Sequence, residues 1–110
     1  MKKIFLFLLF LISTQCLADY EQDMAALQKG MPSSVSKYID RQVMCNHWSG
    51  EPVGESGDIG YDEHRRQEVI SALKDLKCDA LESDEKRLVR KYKNRPAILK
   101  SIKDAKEYII

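Results

Sequence analysis

Along most of the chain, apolar side chains recur at intervals of three and four, the spacing of a single helix face. Val35, Tyr38, Ile39 and Val43 form one such stripe, with Lys37, Asp40 and Arg41 on the other side. Val69, Ile70, Leu73 and Leu76 form a second behind Asp62, whose carboxylate can cap the helix start. Leu88, Val89 and Tyr92 make a third, with Ser83 as its expected cap. Ile98, Ile102, Ala105 and Ile109 follow at i, i+4, i+7 and i+11. A weaker helical segment over Tyr20 to Lys29 holds Met24 and Leu27 and ends at Gly30. Pro32 with Ser33 opens the next helix, and Pro96 restarts the chain after Asn94-Arg95, because proline suits a first helical turn. No stretch alternates with period two for long enough to form a strand. The pattern predicts an all-α fold, a small bundle of four to five short helices.

One run departs from this periodicity. Met1-Lys2-Lys3 is a short positive start, Ile4 to Ile12 is unbroken apolar sequence, and Cys16-Leu17-Ala18 follows a polar exit. A run that short cannot cross a bilayer core as a helix, and the layout is that of a secretory signal peptide cut between Ala18 and Asp19. A lipoprotein signal with Cys16 lipidated is the rival, but the residue before the cysteine is Gln15 where a small one is needed. The expected mature chain, residues 19–110, is a single exported helical domain with no transmembrane segment, periplasmic or secreted.

Composition narrows the picture. The 110 residues carry 18 basic and 17 acidic side chains, a formal charge of +1, and 44% hydrophobic residues. That suffices for one small core and excludes the global basic field of most nucleic-acid binders. Beyond the leader two cysteines remain, Cys45 and Cys78, and an even pair in a short exported chain is expected to form a disulfide. Closing a loop of this length stabilises by about 4 kcal/mol in the chain-entropy model.

Four of the five glycines fall between Ser49 and Tyr61, together with Pro52, Glu51, Glu55 and Asp58. Loops of this length in small domains tend to be functional. With Cys45 near the end of the second helix and Cys78 past the end of the third, a tight hairpin between them is excluded. The loop is expected to climb back along the third helix, about 24 Å, as an ordered strap.

Around this Gly-rich loop lie the residues with chemical potential. Cys45-Asn46-His47-Trp48-Ser49-Gly50-Glu51 places a histidine, the only tryptophan and an acid beside the disulfide, and His64 follows on the third helix. The pattern Cys-x-His-aromatic-x-Gly-Glu resembles an element of small exported bacterial proteins that carry no assigned activity. The resemblance spans about Ile39 to Leu81, and Pro52 to Gly60 looks like an enlargement of that element. His47, Trp48, Glu51, Glu55 and Asp58 are the candidate binding residues. Trp48 is expected in the loop, plugging the core above the disulfide rather than anchoring a partner. An alternative uses His47, Glu51, Asp62 and His64 as metal ligands, although no H-x3-H or HExxH spacing holds the histidines on one face. Glu55, Asp58 and Asp62 miss the calcium-loop pattern. His47 bonding the loop backbone and His64 standing solvated is the plainer expectation. Glu51 with Arg65 or Arg66 is an expected ion pair at the loop's root.

No serine sits in a nucleophile-elbow setting, and no enzyme or cofactor is expected. Basic residues from Lys86 to Lys106 crowd the last third and are expected to form a solvated helix surface, making the molecule dipolar. The expected function is a protein-interaction module such as an inhibitor, immunity protein or envelope adaptor. Its partner is then an extracytoplasmic protein rather than nucleic acid, and its oligomeric state stays open. Metal or small-ligand binding is the alternative. Intact-mass measurement of protein recovered from the cell envelope is expected to give a chain beginning at Asp19 with both cysteines oxidised. An acylated Cys16 in that spectrum would overturn the cleavage site.

Overall fold

The computed structural model describes residues 15–55, 57 and 59–109, with side chains from residue 19 onward. These residues form five α-helices: α1 Gln15–Gln28, α2 Ser33–Ser49, α3 Glu63–Asp75, α4 Leu81–Lys91 and α5 Pro96–Glu107. A 3-10 turn, Cys78–Ala80, joins α3 to α4, and no strand occurs among the described residues. The fold is all-α with a Cys45–Cys78 disulfide, as the apolar spacing and cysteine pair predict. The leader expected over residues 1–18 lies outside the described residues, save that the backbone of Gln15 to Ala18 is helical and belongs to α1.

α2 is the axis against which every other helix packs. Val35, Tyr38, Ile39 and Val43 are buried on its core face. They meet Met24 of α1, Leu88 of α4 and Ile98, Ile102 and Ala105 of α5 in one hydrophobic cluster. The weak first helix is held in place. Tyr20 packs its ring against Tyr108 at 6.5 Å, and the Tyr108 hydroxyl donates to Asp23 at 2.8 Å.

A polar row runs up α2 beside this cluster at helical spacing. The Tyr38 hydroxyl donates to Gln42 Oε1, and Gln42 Nε2 donates to Asn46 Oδ1, each at 2.8 Å. Burial, and secondarily the charge of Glu85, hold the Tyr38 phenol above the ordinary tyrosine range, so it remains a donor. Asn46 Nδ2 then donates to the carbonyls of Ala105 at 2.9 Å and Tyr108 at 3.1 Å, satisfying the second and adding to the Tyr108 N–H already on the first. Removing that donor would strand the Tyr108 carbonyl at about 1–3 kcal/mol where water is excluded, while that of Ala105 keeps the Tyr108 N–H.

Arg41 secures the other side of α2. Its Nε donates to the carbonyl of Leu76 and its Nη2 to that of Lys77, both at 3.0 Å. Its Nη1 pairs with Asp84 in the first turn of α4 at 2.8 Å. A cation at the end of α3 and an anion at the start of α4 both follow the helix dipoles. Lys77 there takes a left-handed conformation, φ 53°, costing about 1–3 kcal/mol for a residue with a Cβ. The Arg41 bonds and the adjacent disulfide hold it.

Several expectations change. Ile70, Val89 and Ile109 are exposed. Among the helices α3 packs chiefly on α2, so only a narrow stripe around Val69 is covered, and Ile109 lies past the end of α5. Ser83 is not a cap: α4 begins at Leu81, and the Ser83 hydroxyl bonds back to the carbonyl of Ala80 at 3.5 Å. Asp62 does cap α3, accepting from the Arg65 N–H at 3.2 Å.

The strap is corrected as well. α2 continues four residues past Cys45, and the Gly50 and Glu51 N–H groups extend its last turn by bonding the carbonyls of Asn46, His47 and Trp48. Helix therefore covers part of the distance assigned to the loop, about 9 Å from Cys45 to Glu51, and the Glu51 and Arg65 side chains span the gap to α3. Cys45 meets Cys78 beyond the tail of α3, while Glu51 reaches Arg65 near its head. The loop itself is exposed at Pro52, Gly54, Glu55, Gly57, Ile59 and Gly60 instead of lying along α3.

Hydrogen bonding from Arg41 holds the Asp84 carboxyl below the usual carboxylate range. Its folded-state value lies below its unfolded one, so the pairing contributes above the ordinary range and is lost as pH falls through the depressed value. Asp84→Asn is expected to lower Tm at pH 7, with the difference from wild type vanishing as pH falls through the depressed value of the Asp84 carboxyl. A constant difference across that titration would refute the assignment.

Candidate functional site: the root of the Gly-rich loop

The last turn of α2 and the first two turns of α3 face each other beneath the loop. His47 and Glu51 are four residues apart at the end of α2, so they share a face, and His47 Nε2 lies 3.2 Å from Glu51 Oε1. The same spacing on α3 brings His64 Nε2 to 3.2 Å from Glu68 Oε1. Arg65 stands between the pairs. Its Nη2 contacts Glu51 Oε2 at 2.9 Å and its Nη1 contacts Glu68 Oε2 at 2.8 Å. The guanidinium also lies over the Trp48 ring, 5.3 Å from its centre, and the His47 ring meets Trp48 edge-on at 5.7 Å.

One planar cation thus bridges two carboxylates, each of which holds a histidine. The hydrogen bond to Glu51, then that to Glu68, holds Arg65 above its already high range, so it stays charged at any working pH. An exposed ion pair alone is worth about 0–1 kcal/mol, but here one fork joins two helices and also covers an aromatic face. The arrangement is a junction, and a surface that presents alternating charge around a half-buried indole.

Trp48 is therefore not in the loop and not the core plug the spacing implied. It sits on the last turn of α2, outside the core cluster. Beside it an open groove of about 520 Å³ runs along α3, bounded by His64, Gln67, Glu68, Ser71 and Asp75. Glu51 is partly buried at the root, and the expected ion pair uses Arg65, while Arg66 turns to Glu63 at 3.5 Å. His47 bonds a carboxylate rather than loop backbone, and His64 is exposed as expected.

The proposed metal set does not assemble as one centre. His47 and Glu51 come together, but His64 turns to Glu68 and Asp62 is engaged in capping. Among the described residues no three His, Cys, Asp or Glu side chains are grouped to hold an ion. Glu55 is exposed, and Asp58 lies outside the described residues. Glu68 was missed, although its i,i+3 and i,i+4 relation to Arg65 and His64 signals it.

The loop closes on itself above this root. Gly54 has φ +70°, and a Cβ there would meet the Tyr61 Cα at 3.4 Å, so glycine suits both the conformation and the approach. The Tyr61 hydroxyl bonds Glu63, and that bond, with one from Gln67, holds the Glu63 carboxyl below its ordinary range. Ile59 is fully exposed at the far side.

Compared with protein-family models, curated proteins and solved structures, the chain matches none. Arg65→Gln is expected to free the root of the loop and change the polarity around Trp48, read as a shift in its fluorescence maximum with helical circular dichroism retained. An unmoved spectrum would mean that Arg65 does not organise the site.

Proposed function

We propose that the chain is a small exported interaction module, an inhibitor, immunity protein or envelope adaptor, which binds another extracytoplasmic protein through the loop over Pro52 to Gly60 and the Trp48 surface at its root. The observation that carries this reading is a rooted loop that displays Ile59. A branched aliphatic side chain left in water forgoes about 1.5–3 kcal/mol of burial, which a partner's pocket recovers. The loop's ends are fixed by the Glu51–Arg65 pair on one side and by the Asp62 cap on the other. Less disorder is then lost on binding than for a free tether of equal length.

The flanking chemistry suits such a contact. Glu51, Glu55, Asp58, Asp62 and Glu63 surround the apolar tip in sequence, so a partner with a basic rim around an apolar pocket would be favoured. Trp48, half-buried under Arg65, adds an aromatic anchor at the root of the loop, a residue type that often dominates interface energy. The leader layout and the oxidised cysteine pair support an exported setting.

A photo-crosslinking residue placed at Ile59, in cells that make the protein, is expected to capture one discrete partner. The same probe at exposed Lys103 of α5 should not. Glu51→Lys, which reverses the charge at the root, should diminish the Ile59 adduct. Equal capture from both positions, or none from Ile59, would overturn the reading.

A further inference from the structure

The charges of this chain are sorted. From Asp19 to Glu85 fifteen acids stand against seven bases, whereas residues 86–110 hold nine bases and two acids. Within this, residues 86–103 carry eight basic side chains and no acidic one. The fold gathers part of this excess at one end. Lys37 near the start of α2 and Lys91 at the end of α4 line the same groove, and Lys93 and Arg95 lie in the turn that follows. The loop and its acids lie beyond the opposite end of α2, about 25 Å away along the helix axis.

Four cations cluster at this end, although among the described residues Lys29, Lys74, Lys77, Arg90 and Lys103 elsewhere also form no ion pair. Lys86, Arg87, Lys100 and Lys106 pair with Glu82, Asp84, Asp104 and Glu85. Among the described residues Lys37, Lys93 and Arg95 form no ion pair, and Lys91 lies over the Tyr92 ring at 5.4 Å. Asp84, the one acid of their groove, is held by Arg41 and Arg87. All four of these cations are exposed. Their fields add outward, since the groove's acid is already taken up by two arginines.

We propose that this end, formed by Lys37, Lys91, Lys93 and Arg95, docks on an anionic lipid surface and turns the Gly-rich loop away from it. A protein interface needs an apolar or aromatic anchor at its centre. Among the described residues the exposed large hydrophobics are Ile59, Ile70, Val89 and Ile109, none in the corner over Lys91 to Pro96, whose one aromatic, Tyr92, is packed against the core. A layer of phospholipid headgroups needs no anchor and no fixed geometry, only unpaired cations free to follow it. Orientation follows from the charge sorting: the acidic loop end is repelled by the surface that attracts the basic end. This inference goes beyond the partner proposed for the loop, and vesicle binding is measured without that partner.

The test is co-sedimentation of the whole chain with vesicles of phosphatidylcholine mixed with phosphatidylglycerol, and with phosphatidylcholine alone. Wild type is expected to bind the anionic vesicles at low ionic strength, to release by about 0.5 M salt, and to ignore the neutral ones. Lys93→Glu with Arg95→Glu is expected to weaken binding by about tenfold or more. Arg66→Glu with Lys74→Glu on α3 makes the same change in net charge and is expected to bind within about twofold of wild type. Equal losses in the two double variants would assign the effect to net charge and overturn the surface. Absent wild-type binding, equal binding to neutral vesicles, or salt-sensitive self-association that accounts for the sedimentation would overturn it too.

Discussion

The structure depends on the grip of α2 on the corner that follows α3. Arg41 and Cys45 are one helical turn apart, so they project from the same face of α2, and both fasten on Leu76 to Cys78. The corner is costly in itself, with Lys77 left-handed and the Leu76 carbonyl past the end of α3 bonded by Arg41. It is stable only because the guanidinium and the disulfide reach it together. Once placed, it sets the direction of α4 through Asp84, and α4 brings Leu88 into the core.

A second consequence follows along the same helix. α2 carries the core, the row of Tyr38, Gln42 and Asn46 beside it, and the Arg41–Cys45 grip along its flank, with Tyr38 and Cys45 shared between the core and these fastenings. A helix with so many obligations has little freedom to rotate or slide. Its last turn is consequently a firm platform for His47, Trp48 and Glu51, and the loop root inherits that firmness. The polar row also explains why an asparagine serves within the Cys-x-His element: its side chain closes the end of α5.

Helix stripes, proline starts, the Asp62 cap and the disulfide were legible because each depends on local spacing or on simple cysteine arithmetic. Val35, Tyr38, Ile39, Val43, Ile98, Ile102 and Ala105 are buried as their periodicity requires. Neighbouring Ile70 and Val89 are not, because the number of helices covering a face is a tertiary fact that one helix's pattern does not contain. The extra turn of α2 was hidden by Ser49-Gly50, which signals a helix end slightly later than Trp48 suggests. His47–Glu51 and His64–Glu68 were readable as i,i+4 pairs, but their joining through Arg65 required the antiparallel meeting of two helices. Arg41 gave no signal, since its bonds go to backbone carbonyls more than thirty residues away.

The thin cover of α3 carries a different implication. Its one buried residue, Val69, stands apart from the main hydrophobic cluster, and the helix is held mostly by polar fastenings and one covalent link at its tail. Local stability follows the apolar area that an element covers, so α3 is the tier of the molecule whose opening uncovers least. Its head is kept by the Arg65 fork and its tail by the sulfur bridge, so polar and covalent ties stand there in the place of a core.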